Sequence, residues 1–94
     1  RITPDGDGYE DNLIMQFNLE GNENVVSVTV FDETGDYIRK VAYNVLAAND
    51  ITLIWDGTKD DGSAVYTGIY VVLITLFDDS GKTEKWKKVC TVIR

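Results

Sequence analysis

The sequence holds no histidine, one cysteine, one proline and one methionine in 94 residues. Without histidine, the commonest general base and the commonest zinc ligand are both missing. The lone Cys90 can close no internal disulfide and build no thiolate zinc site, and in the last strand-like segment it reads as a small core residue. No serine or cysteine has an imidazole to activate it, which removes the usual nucleophilic triads. Gly6-Asp7-Gly8 does not open a helix after a strand, so it is no phosphate-cradling loop. Long apolar runs are missing as well: Ile69 to Phe77 falls far short of the roughly 20 residues that cross a bilayer. Basic charge is scarce, with nine Lys and Arg against sixteen acids, eleven of them aspartate, for a net charge of −7. Such a surface repels phosphate backbones and anionic lipid, so neither nucleic acid nor membrane insertion is expected. Paired carboxylates can hydrolyse glycosides, but so short a chain offers little cleft for a sugar. The sequence is therefore not expected to encode an enzyme.

What is present reads as one globular domain over residues 1–94, with 44% hydrophobic residues and ten aromatics. The chain starts at Arg1 without an initiator methionine or a leader, as expected of a piece excised from a longer protein. Phe31-Asp32-Glu33-Thr34-Gly35 and Phe77-Asp78-Asp79-Ser80-Gly81 repeat one pattern, each closing a run rich in β-branched residues. Aspartate at the first corner of a type I turn, with glycine three residues on, predicts a short hairpin with a bulge.

Strand periodicity is plain elsewhere. Leu13, Met15, Phe17 and Leu19 share one face; Val26, Val28 and Val30 share another, opposite Ser27 and Thr29; Ile51, Leu53 and Trp55 form a third set. Tyr37 to Tyr43 returns from the first hairpin, and Lys82 to Ile93 from the second. The segment Val45-Leu46-Ala47-Ala48 reads equally as one helical turn or as a short edge piece, and Val65-Tyr66 as a brief pairing. These elements predict an all-β fold, an Ig-like antiparallel β-sandwich of about seven short strands in two sheets. In phase with Ile51 and Leu53, Trp55 is expected to fill the space between sheets. Asp56 is expected to fold onto backbone N–H groups of the next loop, with Gly57 supplying an unusual backbone angle, and Gly68 is expected at a crowded turn or bulge.

Taken in order, Pro4-Asp5-Gly6-Asp7-Gly8-Tyr9-Glu10-Asp11, Val28-Thr29-Val30-Phe31-Asp32-Glu33-Thr34-Gly35 with Ile38-Arg39, Trp55-Asp56-Gly57, Asp61-Gly62 and Gly68-Ile69-Tyr70 resemble the Ig-like domain of the flagellar hook-capping protein. The same pattern is similar to the C-terminal domains of many exported Bacteroidetes proteins, including type IX secretion sorting domains. The resemblance implies a non-catalytic Ig-like module at the C-terminus of a larger secreted or cell-surface protein, serving as a sorting or assembly handle. The implied partners are the rest of that parent protein and the secretion machinery. Lys87-Lys88-Val89-Cys90-Thr91-Val92-Ile93-Arg94 looks like the basic-then-apolar final strand of the sorting domains, apart from the cysteine.

Three surface features invite a binding role. Asp5, Asp7 and Asp11 sit on a glycine-bent loop able to wrap Ca²⁺, alone or with the Asp60-Asp61 loop, or else form a solvated turn; Thr3 and Ile14 stand where an EF-hand-type loop would need acids. No other cofactor is expected. Lys82, Lys85, Lys87 and Lys88 surround Trp86, an arrangement that on an edge strand blocks sheet-to-sheet association. Ile69 to Phe77 is apolar on both faces: with Ile69, Val71, Leu73 and Phe77 inward, Tyr70, Val72 and Ile74 are left as a candidate docking face unless the domain covers them itself. The alternative function is a carbohydrate- or surface-binding sandwich, which a planar row of exposed aromatics would mark.

Overall fold

The computed structural model describes residues 1–3, 11–19, 23–48 and 50–94, and their ordered backbone is β-strand. Six strands follow in order: β1 (Leu13–Asn18), β2 (Asn24–Asp32), β3 (Tyr37–Ala47), β4 (Asp50–Trp55), β5 (Gly68–Asp78) and β6 (Thr83–Val92). They form two antiparallel sheets, β1-β4 and β3-β2-β5-β6, in the layered arrangement expected of an Ig-like sandwich. Among the described residues the count is six rather than about seven. Val65-Tyr66 forms no strand: Val65 N–H donates to Gly57 O at 3.0 Å beside the isolated bridge between Thr58 and Ala64.

The core lies where the alternating residues of both layers meet. Leu13 and Met15 from β1, Trp55 from β4, Val26, Val28 and Val30 from β2, and Cys90 and Val92 from β6 are all buried. Valine and isoleucine suit this pleated, half-buried surface because their branched Cβ packs flat against cross-strand neighbours. Ile2, 1% exposed, joins the core from the N-terminal segment; its N–H donates to Thr91 O (2.8 Å) and its carbonyl accepts from Ile93 N–H (3.0 Å), a parallel bridge opposite Val92.

Both predicted hairpins form. Gly35 N–H donates to Asp32 O at 3.0 Å and Asp32 N–H to Asp36 O at 2.9 Å, while Gly81 and Lys82 repeat the pattern around Asp78. Gly35 and Gly81 sit at φ 90° and 87°, the left-handed conformation a bulged turn requires and a side chain resists. Each turn's aspartate folds its own loop: Asp32 Oδ1 accepts from Thr34 N–H (2.9 Å) and Asp36 N–H (3.0 Å), and Asp78 Oδ1 from Ser80 N–H (3.0 Å) and Lys82 N–H (2.9 Å). A third copy escaped the sequence reading. Gly62 N–H donates to Lys59 O and Lys59 N–H to Ser63 O, with Gly62 at φ 85°, but lysine at the first corner hides the signature.

Val45 to Ala47 is neither a helical turn nor a separate piece: β3 runs on to Ala47 through a bulge. Val26 pairs with Val45 and Val28 with Ala42, so Tyr43 and Asn44 together oppose Ser27. Asn44, at φ 48°, donates its backbone N–H to Ser27 Oγ at 3.0 Å, so a side chain supplies the partner the ladder omits. Asparagine tolerates that backbone region better than most residues.

The two-faced strand β5 is oriented opposite to expectation. Tyr70, Val72 and Ile74 point inward, at 6%, 0% and 4% exposure, whereas Ile69 and Phe77 are exposed on the outer face. The register decides this: Val72 sits beside Val30 and Ile74 beside Val28, so they share the inner face of β2.

Candidate functional site

The residues singled out around Trp55-Asp56-Gly57 converge on one seam, where the loop after β4 crosses to the other sheet. Trp55 is fully buried; its Nε1–H donates to Thr58 O at 2.9 Å, and its ring meets Tyr70 edge-on at a centroid distance of 5.5 Å and 60°. The hydroxyl of Tyr70 donates to Tyr66 O at 2.7 Å, and burial pushes its pKa above the ordinary tyrosine value. Asp56 takes a different partner from the one expected: its Oδ1 accepts from the Thr58 hydroxyl at 2.5 Å, with Arg39 Nη1 3.8 Å away. Arg39 in turn donates to Thr58 Oγ1 at 2.5 Å, so Thr58 links the two charges. Gly57, buried and at φ 78°, presents its carbonyl to Val65 N–H at 3.0 Å.

Two further residues tie the loop down. Asp60 accepts from the hydroxyl of Tyr37 and from Lys40 N–H (3.1 Å), both on β3. Its hydrogen bond with Tyr37 lowers the Asp60 pKa and raises that of Tyr37. At the C-terminal end, Arg94 donates from Nε to Val65 O (2.6 Å), from Nη2 to Gly57 O (2.9 Å) and from its backbone N–H to Thr67 Oγ1 (3.0 Å). No periodicity or motif marks Arg94; the only available signal was a basic residue after a closing strand. Gly68 is not the crowded point expected, since its φ is ordinary and a Cβ there would meet only the Tyr70 ring, at 3.9 Å.

This seam is built to hold a loop, not to move protons. Asp32, Asp60, Asp61 and Asp78 have pKa values below the ordinary 3.8, chiefly through side-chain hydrogen bonds from Thr34, Tyr37, Ser63 and Ser80 respectively. A carboxylate kept ionised by donors is a poor general acid. The unfolded chain, with its ordinary carboxyl values, binds protons that the folded turns refuse. The stability these turns give is thus complete above about pH 4 and drains away as pH falls through the lowered values. Acid titration followed by tryptophan fluorescence should show stability flat near neutrality and falling below about pH 4, with a shallower fall in the Asp32→Asn, Asp78→Asn double variant. An equally steep fall in that variant would refute the assignment.

Of the calcium candidates, Asp5 and Asp7 lie outside the described residues. Among the described residues no three acidic, cysteine or histidine groups gather as a metal site. In the Asp60-Asp61 loop, Asp60 is engaged with β3 and Asp61 accepts from Ser63 N–H (2.8 Å) and Oγ (2.6 Å). The docking face proposed from sequence is overturned, because Tyr70, Val72 and Ile74 are covered by the opposite layer. Cys90 is 1% exposed, and burial foremost raises its thiol pKa. Alkylation of Cys90 in the native protein should be at least about 100-fold slower than in denaturant, since the thiolate is both scarce and shielded. Equal rates would contradict its burial.

The exposed aromatics among the described residues are spread over several elements. Tyr37 and Tyr43 lie on β3, Tyr66 in the loop, Phe77 on the outer face of β5 and Trp86 on β6. Lys85, Lys87 and Lys88 do occupy an edge strand, and Lys82, in the turn before it, pairs through Nζ with Glu84 at 3.2 Å.

A buried tryptophan under a latched loop, bulged aspartate-glycine turns and carboxylates spent on their own backbone define a structural Ig-like module. The chain belongs to the FlgD Ig-like domain family, whose model matches residues 3–83. Among solved structures, FlgD from P. aeruginosa is 25% identical at a TM-score of 0.63, over 86% of this chain and 61% of that one. FlgD from Xanthomonas campestris, described as a hook-capping protein essential for flagellar assembly, is 19% identical at a TM-score of 0.49, over 84% of this chain and 67% of that one. The chain thus spans about three-fifths of the P. aeruginosa structure. Comparison with curated proteins gave no match.

Proposed function

We propose that this chain is a non-catalytic assembly domain of a larger exported protein, acting at the cell surface or outside it. The supporting observation is the family match over residues 3–83 together with a polar inventory devoted to holding loops. Membership of the FlgD Ig-like domain family supports a role in building a structure from exported subunits. The domain contributes a rigid sandwich that orients the rest of its parent against neighbouring subunits. Within this reading, the lysine-rich β6 supports a sorting role as a second possibility, in which the folded domain is recognised by secretion machinery.

Deleting residues 1–94 from the parent separates these. Assembly should fail while export persists; loss of export assigns the domain to sorting, and normal export with normal assembly overturns both. The carbohydrate-binding alternative is less well supported, because the exposed aromatics among the described residues are spread over β3, β5, β6 and a loop.

A further inference from the structure

β6 is the edge of the four-stranded sheet, and it lies almost wholly beyond the family match. Its edge is occupied at one end by Ile2, which bonds to Thr91 and Ile93 in parallel register. Alternate residues of a strand present their N–H and C=O to the same side. Because Thr91 and Ile93 face Ile2, the backbone groups of Val89, Lys87 and Lys85 face the same edge, which no other strand among the described residues pairs.

Burial follows the same division. Beside Ile2, Cys90 and Val92 are 1% and 0% exposed, but two turns of the pleat away Trp86 is 42% exposed, although its neighbour across the ladder, Ile74, is 4%. Burial of β6's inner face thus goes with the stretch of edge that Ile2 already occupies, and fails at the Trp86 end, where the opposite layer has only two strands.

We propose that this edge is completed by the polypeptide preceding Arg1 in the parent protein, running parallel to β6 in the register that Ile2 sets. The inference rests on the reading of the chain as a domain of a larger protein. Direction comes from the parallel bridge: residues upstream of Ile2 are aimed along β6 toward Thr83, and every second one stands on the inner side over Cys90, Lys88 and Trp86. Chemistry comes from the strand itself. Lys85 and Lys87 flank the outer side, while Trp86 and Cys90 lie on the inner side with Lys88 between them, so the fitting segment places acidic residues outside and apolar residues inside over Trp86 and Cys90. Lysines that repel a second copy of this edge attract such a segment.

The test extends the chain before Arg1 by eight residues of alternating glutamate and valine, with the valines in phase with Ile2, against an equal Gly-Ser extension. Amide hydrogen exchange of Lys85, Lys87 and Val89 is read by NMR, with Trp86 emission as a second signal. The alternating extension should slow those three amides at least about tenfold and blue-shift Trp86, whereas Gly-Ser should leave both unchanged. The parent's own eight preceding residues should reproduce the slowing. Unchanged exchange with the alternating extension overturns the edge pairing while leaving the domain reading intact, since export and assembly of the deletion parent report on that separately. Protection by the alternating but not the natural segment overturns the assignment of the occupant. Concentration-dependent protection in the unextended chain does so too, in favour of a second copy.

Discussion

Replacing Trp55 by alanine is expected to lower the free energy of unfolding by roughly 3–5 kcal/mol, the usual cost of truncating a fully buried large aromatic. Three losses combine. The cavity opens between β4 and the opposite sheet, where Val65 and Tyr70 lose their packing partner. The edge-on contact with Tyr70 disappears, and Thr58 O loses the indole N–H that anchors the loop. A domain of this size has only about 5–15 kcal/mol in hand, so the variant should be marginal or unfolded at 37 °C. Trp55→Phe keeps most of the apolar volume but not the donor, and should cost about 1–3 kcal/mol. Urea unfolding followed by circular dichroism reads both; a midpoint for Trp55→Ala within error of the parent would mean the ring does not hold the sheets together.

Val72→Asp and its chain neighbour Leu73→Asp should have opposite outcomes. Val72 is fully buried, beside Val30 on the inner face, and a carboxylate there has no partner and no water, a cost of several kcal/mol that should leave the variant without a folded spectrum. Leu73 faces outward, only partly covered, opposite Lys87 on β6. An aspartate at that position meets solvent and a lysine, so Leu73→Asp should remain folded and lose about 1–2 kcal/mol. Amide proton dispersion in NMR spectra distinguishes the two. A folded Val72→Asp beside an unfolded Leu73→Asp would show that β5 is turned the other way.

That pair also shows where the sequence stopped being readable. β1, β2 and β4 carry apolar residues at most inward positions and polar residues at most outward ones, with Ile14, Val25, Phe31 and Ile54 the outward exceptions, so their inward faces follow largely from period two. β5 is apolar at both parities, and only its register against β2 settles which side is core. Asp32 and Asp78 announced their turns because the aspartate at the first corner carries the turn chemistry, whereas Lys59 gives the same corner only its backbone groups and the side-chain acceptor moves to Asp61. The strand through Val45 was hidden by the bulge at Asn44, whose partner is the Ser27 side chain rather than another backbone group. Likewise the latch formed by Arg94 joins residues 29 and 37 positions apart, a pairing no local pattern encodes. The buried tryptophan was legible; the loop that closes over it was not.

The parallel bridge at Ile2 bears on how the module carries mechanical load. A pull that draws the N-terminal segment toward the Thr83 end and the C-terminus the other way acts along the strands, so the Ile2 bonds to Thr91 and Ile93 are sheared together rather than unzipped one at a time. Arg94 lies in the same line of tension, gripping the carbonyls of Val65 and Gly57. Under single-molecule stretching through its two ends, the module should yield in one abrupt step at high force, and cutting the grip with Arg94→Ala should soften that step.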